Sequence, residues 1–207
     1  ITLSSECDAG QWLFYHDKEI RGRVVEADTG KPIEGALVIA IWKLTDVVGE
    51  GPGGDANVEV TETDRDGHFV ISSWIRFKPW KFVYTIDSLS PEIIIFKPGY
   101  MVHLSHKYER SGFNDDNTMS SQEKSLAKIK YGIDPANLKG ITNDKDRLRS
   151  LNYFCNSIDI KNRAYSRNEL AIIYKAYQAE LRNLAVDHPG KPMLLKRFYE
   201  QRKIVIG

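Results

Sequence analysis

The sequence predicts an α+β fold, in which an antiparallel β-sandwich of seven strands over residues 18–110 is followed by a helical subdomain over 111–207. Three observations predict it. Short β-branched and aromatic runs broken by Gly, Pro and Asp corners fill residues 18–105. Past residue 110 the apolar residues recur at helical spacing. Charge breaks at the same place: residues 1–105 carry 10 Lys+Arg and 16 Asp+Glu, whereas residues 106–207 carry 19 and 12.

Ile20-Arg21-Gly22-Arg23-Val24-Val25 alternates and opens the first strand. The cluster Asp28-Thr29-Gly30-Lys31-Pro32 turns the chain, and Ala36–Trp42 is apolar at every position, and so on both faces, the pattern of a central strand. The glycine-rich stretch from Thr45 to Val58 reads as a mobile loop. Asn57–Thr63 and His68–Ser73 flank Asp64-Arg65-Asp66-Gly67, whose Asp-Gly step suits a tight hairpin. Lys81–Ile86, Glu92–Phe96 and Met101–Ser105 complete the strands.

Beyond the polar stretch 111–118, Ser120-Ser121-Gln122-Glu123 and Ser166-Arg167-Asn168-Glu169 are capping boxes, each predicting a helix start. Asn143 caps a helix with Leu148, Leu151, Cys155 and Ile158 on one face. The helix after Ser166 carries Leu170, Ile173, Tyr174, Tyr177, Leu181 and Leu184 in a stripe, and Asp187-His188-Pro189-Gly190 ends it. Met193–Gln201 reads as a last helix. The stripe is expected to be buried within the chain. Most of Lys124, Lys128, Arg147, Arg149, Arg163 and Arg167 are expected to stay solvated, since Lys and Arg are rarely buried unpaired.

Composition places the chain among folded proteins, with 42% apolar and 28% charged residues. No run of apolar residues is long enough to span a bilayer. Cys7 and Cys155 are too few for a metal cluster or a disulfide framework; they can make one staple or stand as two thiols.

Three segments in order carry a family resemblance. Gly22-Arg23-Val24-Val25-Glu26-Ala27-Asp28-Thr29-Gly30-Lys31-Pro32-Ile33-Glu34-Gly35-Ala36-Leu37-Val38 resembles the first hairpin of the transthyretin-like, or carboxypeptidase regulatory-like, domains. Thr63-Asp64-Arg65-Asp66-Gly67-His68-Phe69 is similar to their central hairpin, and Phe96-Lys97-Pro98-Gly99-Tyr100 to their late Pro-Gly-Tyr corner. The resemblance covers residues 18–105 and implies a prealbumin-like, immunoglobulin-like sandwich. It implies an accessory or adhesion role outside the cytoplasm, with no cofactor. One branch of the family hydrolyses a urate-derived ring and ends in Tyr-Arg-Gly-Ser. This chain ends Arg202-Lys203-Ile204-Val205-Ile206-Gly207, which separates it from that branch.

Two sets of residues are candidates for chemistry. His103, His106 and Glu109 are three apart, a spacing that on a helix puts three zinc ligands on one face. His106-x-x-Glu109 resembles the zinc pair of metallocarboxypeptidases, although their catalytic domain needs more chain than this one has. If Met101–Ser105 is a strand, His103 and His106 point to opposite faces. Trp74, Trp80 and Tyr84 are the second set, an aromatic group able to stack on sugars or line a groove, as well as to fill a core. Asp64-x-Asp66-Gly67 lacks the Glu that an EF-hand needs six residues later, where Ser73 stands. Gly49–Gly54 is followed by no Gly-Lys-Ser/Thr and is no phosphate loop.

The expectation is a non-catalytic binding or scaffolding protein of the bacterial cell envelope, periplasmic or at the cell surface, with a signal peptide taken as removed. Its partner would be a protein or an envelope polymer, and not nucleic acid. Two rival readings are a carbohydrate-binding module with an exposed aromatic row at Trp74, Trp80 and Tyr84, and a metal-dependent hydrolase at His103, His106 and Glu109.

Overall fold

Among the described residues, ten named strands and two named helices succeed one another: β1 (Phe14–Asp17), β2 (Ile20–Glu26), β3 (Leu37–Asp46), β4 (Pro52–Glu62), β5 (His68–Ile71), β6 (Trp74–Phe77), β7 (Tyr84–Ile86), β8 (Glu92–Phe96), β9 (His103–Leu104), β10 (Ala136–Leu138), α1 (Asp144–Ile158) and α2 (Arg167–Asn183). The structure is a computed structural model that describes residues 13–46, 52–77, 84–87, 91–104, 135–160, 163, 165–184, 189–191, 193–194 and 196. The helix expected from Ser120 lies outside the described residues, as does Cys7.

β3 organises the molecule. Its first six residues are all buried, and so are all five of β8. A strand apolar on both faces needs a layer on each side. The five-stranded sheet runs β4-β3-β8-β9, with β7 pairing the far end of β3. On one face Val38, Ala40, Trp42, Ile93 and Ile95 meet Ile20, Val24, Phe69, Ile71, Ala136 and Leu138 of a three-stranded sheet, β10-β2-β5. On the other face Ile39, Ile41, Ile94 and Phe96 meet Leu151, Phe154, Ile158, Leu170, Ile173, Tyr177 and Leu181 of the helices. The layers are therefore sheet, sheet, helix pair. The predicted stripe is buried as expected, with Tyr174 only partly covered.

Both helices start where the sequence places their caps. The Asn143 side chain accepts from the Asp146 backbone N–H at 2.9 Å, and Ser166 with Glu169 forms the full capping box. α2 ends at Asn183, earlier than the Asp187–Gly190 stop, because Leu184 has already turned to extended backbone (ψ 137°).

Several expectations change. There are ten described strands where about seven were expected, β1 and β10 among the additions. β10 is three residues long and pairs with β2 in parallel, and so short a run shows little alternation. The stretch Thr45–Val58 is largely strand: β3 runs on to Asp46 and β4 starts at Pro52. Register shifts between Trp42 and Lys43 and between Leu44 and Thr45 leave Ala56 and Gly53 of β4 without a partner residue in the pairing. Gly53 is needed there, since a Cβ would collide with the Tyr84 ring. The Asp64–Gly67 turn forms, with Gly67 at φ 77°, but the flanking strands do not pair as a hairpin. β4 pairs with β3 and β5 with β2, so the turn hands the chain from one sheet to the other. The turn at 26–31 does the same between β2 and β3: Glu26 N–H donates to Lys31 O and Gly30 N–H to Glu26 O, both at 2.8 Å. It is a corner of the fold.

Candidate functional site

The far end of β3 carries two side-chain groups, one on each face of the central sheet. Both lie beside the register shifts of the β3–β4 pairing at Trp42–Thr45.

On the inter-sheet face, the two-stranded ribbon β1–β6 closes the core. It pairs Phe14 with Phe77, Tyr15 with Arg76, His16 with Ile75 and Asp17 with Trp74. Strand alternation puts Tyr15, Asp17, Trp74 and Arg76 inward. The Trp42 indole N–H donates to Asp17 Oδ2 at 2.7 Å, and Trp74 meets the Trp42 ring edge-on at 5.2 Å. The Tyr15 hydroxyl donates to the Tyr84 carbonyl at 3.0 Å, and Arg76 Nη1 to the Ala56 carbonyl at 3.4 Å. The outward positions are Phe14, His16, Ile75 and Phe77. Ile75 is 66% and Phe77 59% exposed, while Phe14 touches Phe77 in an edge-to-face contact at 5.6 Å. Leaving an Ile or Phe in water forfeits roughly 1.5–3 kcal/mol of burial apiece. The ribbon therefore shows solvent an apolar face that folding alone does not use.

The predicted aromatic set divides here. Trp74 and Tyr84 are brought together, both partly buried against the inter-sheet core. The Trp74 Nε1 is buried with no hydrogen-bond partner. Trp80 lies outside the described residues. Ile75 and Phe77, in the same segment, are the exposed members. Sequence reasoning picked the aromatic residues and missed the parity that decides which of them point out.

On the helix face, β3, β4 and β8 each contribute one charged residue. Lys43 Nζ lies 2.6 Å from Glu92 Oε2, an ion pair whose direction is poor for a hydrogen bond. Arg163, in the α1–α2 connection, reaches Asp55 Oδ2 at 3.1 Å, and both side chains are largely buried. Burial pushes the Asp55 carboxyl above its ordinary range, against the pull of Arg163 and Lys43, and Glu92 and Asp159 add to the rise. Tyr165 is raised as well, chiefly by burial, while Arg163 pulls the other way; its hydroxyl donates to the Ile158 carbonyl at 2.7 Å. The cluster holds as many cations as carboxylates among its pairs and fastens the helix layer to the sheet rim. Nothing in sequence spacing indicates it, because Lys43, Asp55, Glu92 and Arg163 are joined only by the fold.

A second buried pair sits between the helices. Glu180 is fully buried, and its carboxylate accepts from Arg147 Nη1 at 2.6 Å and from the Gly99 backbone N–H at 2.6 Å. Of the six basic residues most of which were expected to stay solvated, Arg147 and Arg163 are drawn into these two pairs, with side-chain exposures of 14% and 10%. Burial of a guanidinium becomes tolerable once a carboxylate faces it. Arg149 and Arg167 are exposed as expected, and Lys124 and Lys128 lie outside the described residues.

His103 is in β9, opposite Ile95, while the next residue, Leu104, lies opposite Ile94. Ile95 belongs to the inter-sheet core and Ile94 to the helix side. Burial lowers the His103 pKa, and its Nε2 is buried without a hydrogen-bond partner. His106 and Glu109 lie outside the described residues. Among the described residues no three His, Cys, Asp or Glu side chains are grouped to hold a metal ion, and no helix is long and apolar enough to cross a membrane.

Neither protein-family models nor curated proteins give a match to this chain.

Proposed function

We propose that the chain is a non-catalytic binding or scaffolding protein of the bacterial cell envelope, built on a prealbumin-like β-sandwich, and that it engages a protein partner through the outward face of the β1–β6 ribbon. The observation that carries this reading is the exposure of Ile75 and Phe77 with Phe14 on one face of a ribbon whose other face packs Tyr15 and Trp74 against the core and leaves Arg76 exposed. An aliphatic–aromatic patch of this kind suits a protein surface, where interface cores are apolar. A sugar platform would need an accessible Trp or Tyr bordered by hydrogen-bonding groups, and Trp74 and Tyr84 are half-buried against the core. The three sequence segments that resemble transthyretin-like domains support the extracytoplasmic setting.

The test uses a photo-cross-linking residue at Phe77, and separately at Asp28 on a distant turn, in the chain exported to a bacterial periplasm. A discrete adduct from position 77, absent from position 28 and abolished by Ile75→Ser, is the expected result. Equal labelling at both positions would remove the ribbon as a binding face. Retention of the purified chain on insoluble peptidoglycan, lost in Trp74→Ala but kept in Ile75→Ser, would favour the carbohydrate-binding reading instead.

A further inference from the structure

The helix layer has a surface of its own. On α1 the exposed residues Lys145, Arg149 and Tyr153 recur every four positions. On α2 Arg167, Ala171, Lys175 and Arg182 form the matching exposed stripe. Both helices bury their opposite faces on the central sheet, so both stripes look away from it. From residue 135 to residue 196, every exposed residue among those described is uncharged or cationic.

The carboxylates of this layer are fewer and mostly engaged in structural roles, although the Asp144 and Asp146 side chains keep 37% and 35% exposure at the start of α1. Glu180 is buried against Arg147, and Glu169 closes the capping box. Asp144 and Asp146 occupy the first turn of α1, where a carboxylate favours the helix dipole, and lie 3.5 Å from Arg147 and 3.8 Å from Arg149. The Asp146–Arg149 contact is long and exposed, which leaves the Arg149 charge facing solvent. The sheets differ: Glu19, Asp28 and Asp64 are exposed among Lys18, Arg21 and Arg65. The predominance of cations is confined to the helices among the described residues, whereas the exposed positions of the sheets mix both signs.

We infer that this helix surface docks peripherally on an anionic phospholipid bilayer. Lys and Arg near such a surface gain from its negative potential. Two further exposed side chains on the layer favour a bilayer over a soluble polyanion. Tyr153 is 41% and Met193 59% exposed, an aromatic and a thioether able to enter the headgroup boundary beside the cations. The α2 stripe from Arg167 to Arg182 spans roughly 22 Å at 1.5 Å per residue, a length that lies flat across several headgroups. This surface is separate from the ribbon, and docking through it does not depend on the ribbon's partner.

The experiment is co-sedimentation of the full chain with phosphatidylcholine vesicles and with vesicles that also contain phosphatidylglycerol. Binding is expected only to the second, and to fall as salt rises. Lys175→Ser and Arg182→Ser should each weaken it about fivefold, while Lys31→Ser on the sheet side leaves it unchanged. Tyr153→Ser should weaken vesicle binding but not retention on a polyphosphate resin. These positions are exposed, so unchanged melting of the variants confirms that folding is intact. No binding to the anionic vesicles, equal binding by the Lys175 and Arg182 variants, or vesicle binding that Tyr153→Ser leaves untouched would each overturn the inference.

Discussion

Phe154 of α1 stacks on Phe96 of β8, with ring centroids 4.1 Å apart and planes 16° from parallel. Both rings are fully buried, and they join the two sequence halves that charge and period divide. Phe154→Ala is expected to cost about 3–5 kcal/mol, the range for truncating a buried Phe. Urea unfolding followed by helical circular dichroism and by Trp fluorescence should shift together, because the helices and β8 share one core and Trp42 sits on the other side of the same sheet. A fluorescence transition left in place while the helical signal moved would separate the helix layer from the sheets.

Glu180 is the polar counterpart of that contact. It holds Arg147 of α1 and the Gly99 backbone N–H of the corner after β8, so one carboxylate ties three segments. Glu180→Ala leaves the largely buried Arg147 guanidinium with only its longer contact to Asp144 at 3.5 Å, and a loss of about 2–4 kcal/mol is expected. Arg147→Met in the same background should recover part of it, since the stranded charge is then gone. A double variant no more stable than Glu180→Ala alone would place the loss elsewhere, in the Gly99 contact or in packing.

Gly67 combines a φ of 77° with a close approach: a Cβ there would run into the Val24 carbonyl oxygen. Its own N–H donates to Asp64 O at 3.0 Å, and its carbonyl accepts from Val24 N–H at 2.8 Å. Gly67→Val therefore meets both backbone strain and a steric clash, and more than about 2 kcal/mol of destabilisation is expected. Thermal melting of the variant is the measurement, and an unchanged midpoint would contradict the turn geometry.

The boundary between what the sequence tells and what it withholds follows from range. β8, the Asn143 cap, the Ser166–Glu169 box and the α2 stripe are legible because their signals lie within a few residues of one another. The central position of β3 is legible because an unbroken apolar run must be covered on both sides. Which sheet a strand joins is decided by partners far away, and so the Asp64–Gly67 turn looks like a hairpin while it links two sheets. The same holds for the sites. Trp74 and Tyr84 are visible as aromatic residues, but only the pairing of Asp17 with Trp74 shows that Trp74 points in and Ile75 out. Arg147 and Arg163 look like surface charges until Glu180 and Asp55 are brought opposite them.

Asp55 makes a prediction whose sign is unusual for a carboxylate in an ion pair. Burial raises its pKa despite Arg163 and Lys43, with Glu92 and Asp159 reinforcing the rise. Below the unfolded value, about 3.9 for Asp, both states are protonated and the residue contributes no slope. As pH rises past that value the unfolded chain loses its proton first, while the folded state holds it until its own higher pKa is reached. Stability is lost across that window and stays level above it, because wherever the folded state binds more protons a rise in pH favours unfolding. Asp55→Asn removes the titration. The stability of the unmodified chain relative to this variant should therefore be greatest at the acid end and decline toward neutrality. Urea unfolding of both proteins from about pH 4 to about pH 7 measures the difference directly. A difference that instead grew toward neutrality would mean that the Arg163 guanidinium, 3.1 Å away, outweighs the desolvation of the carboxylate, and that the pair behaves as an ordinary stabilising salt bridge.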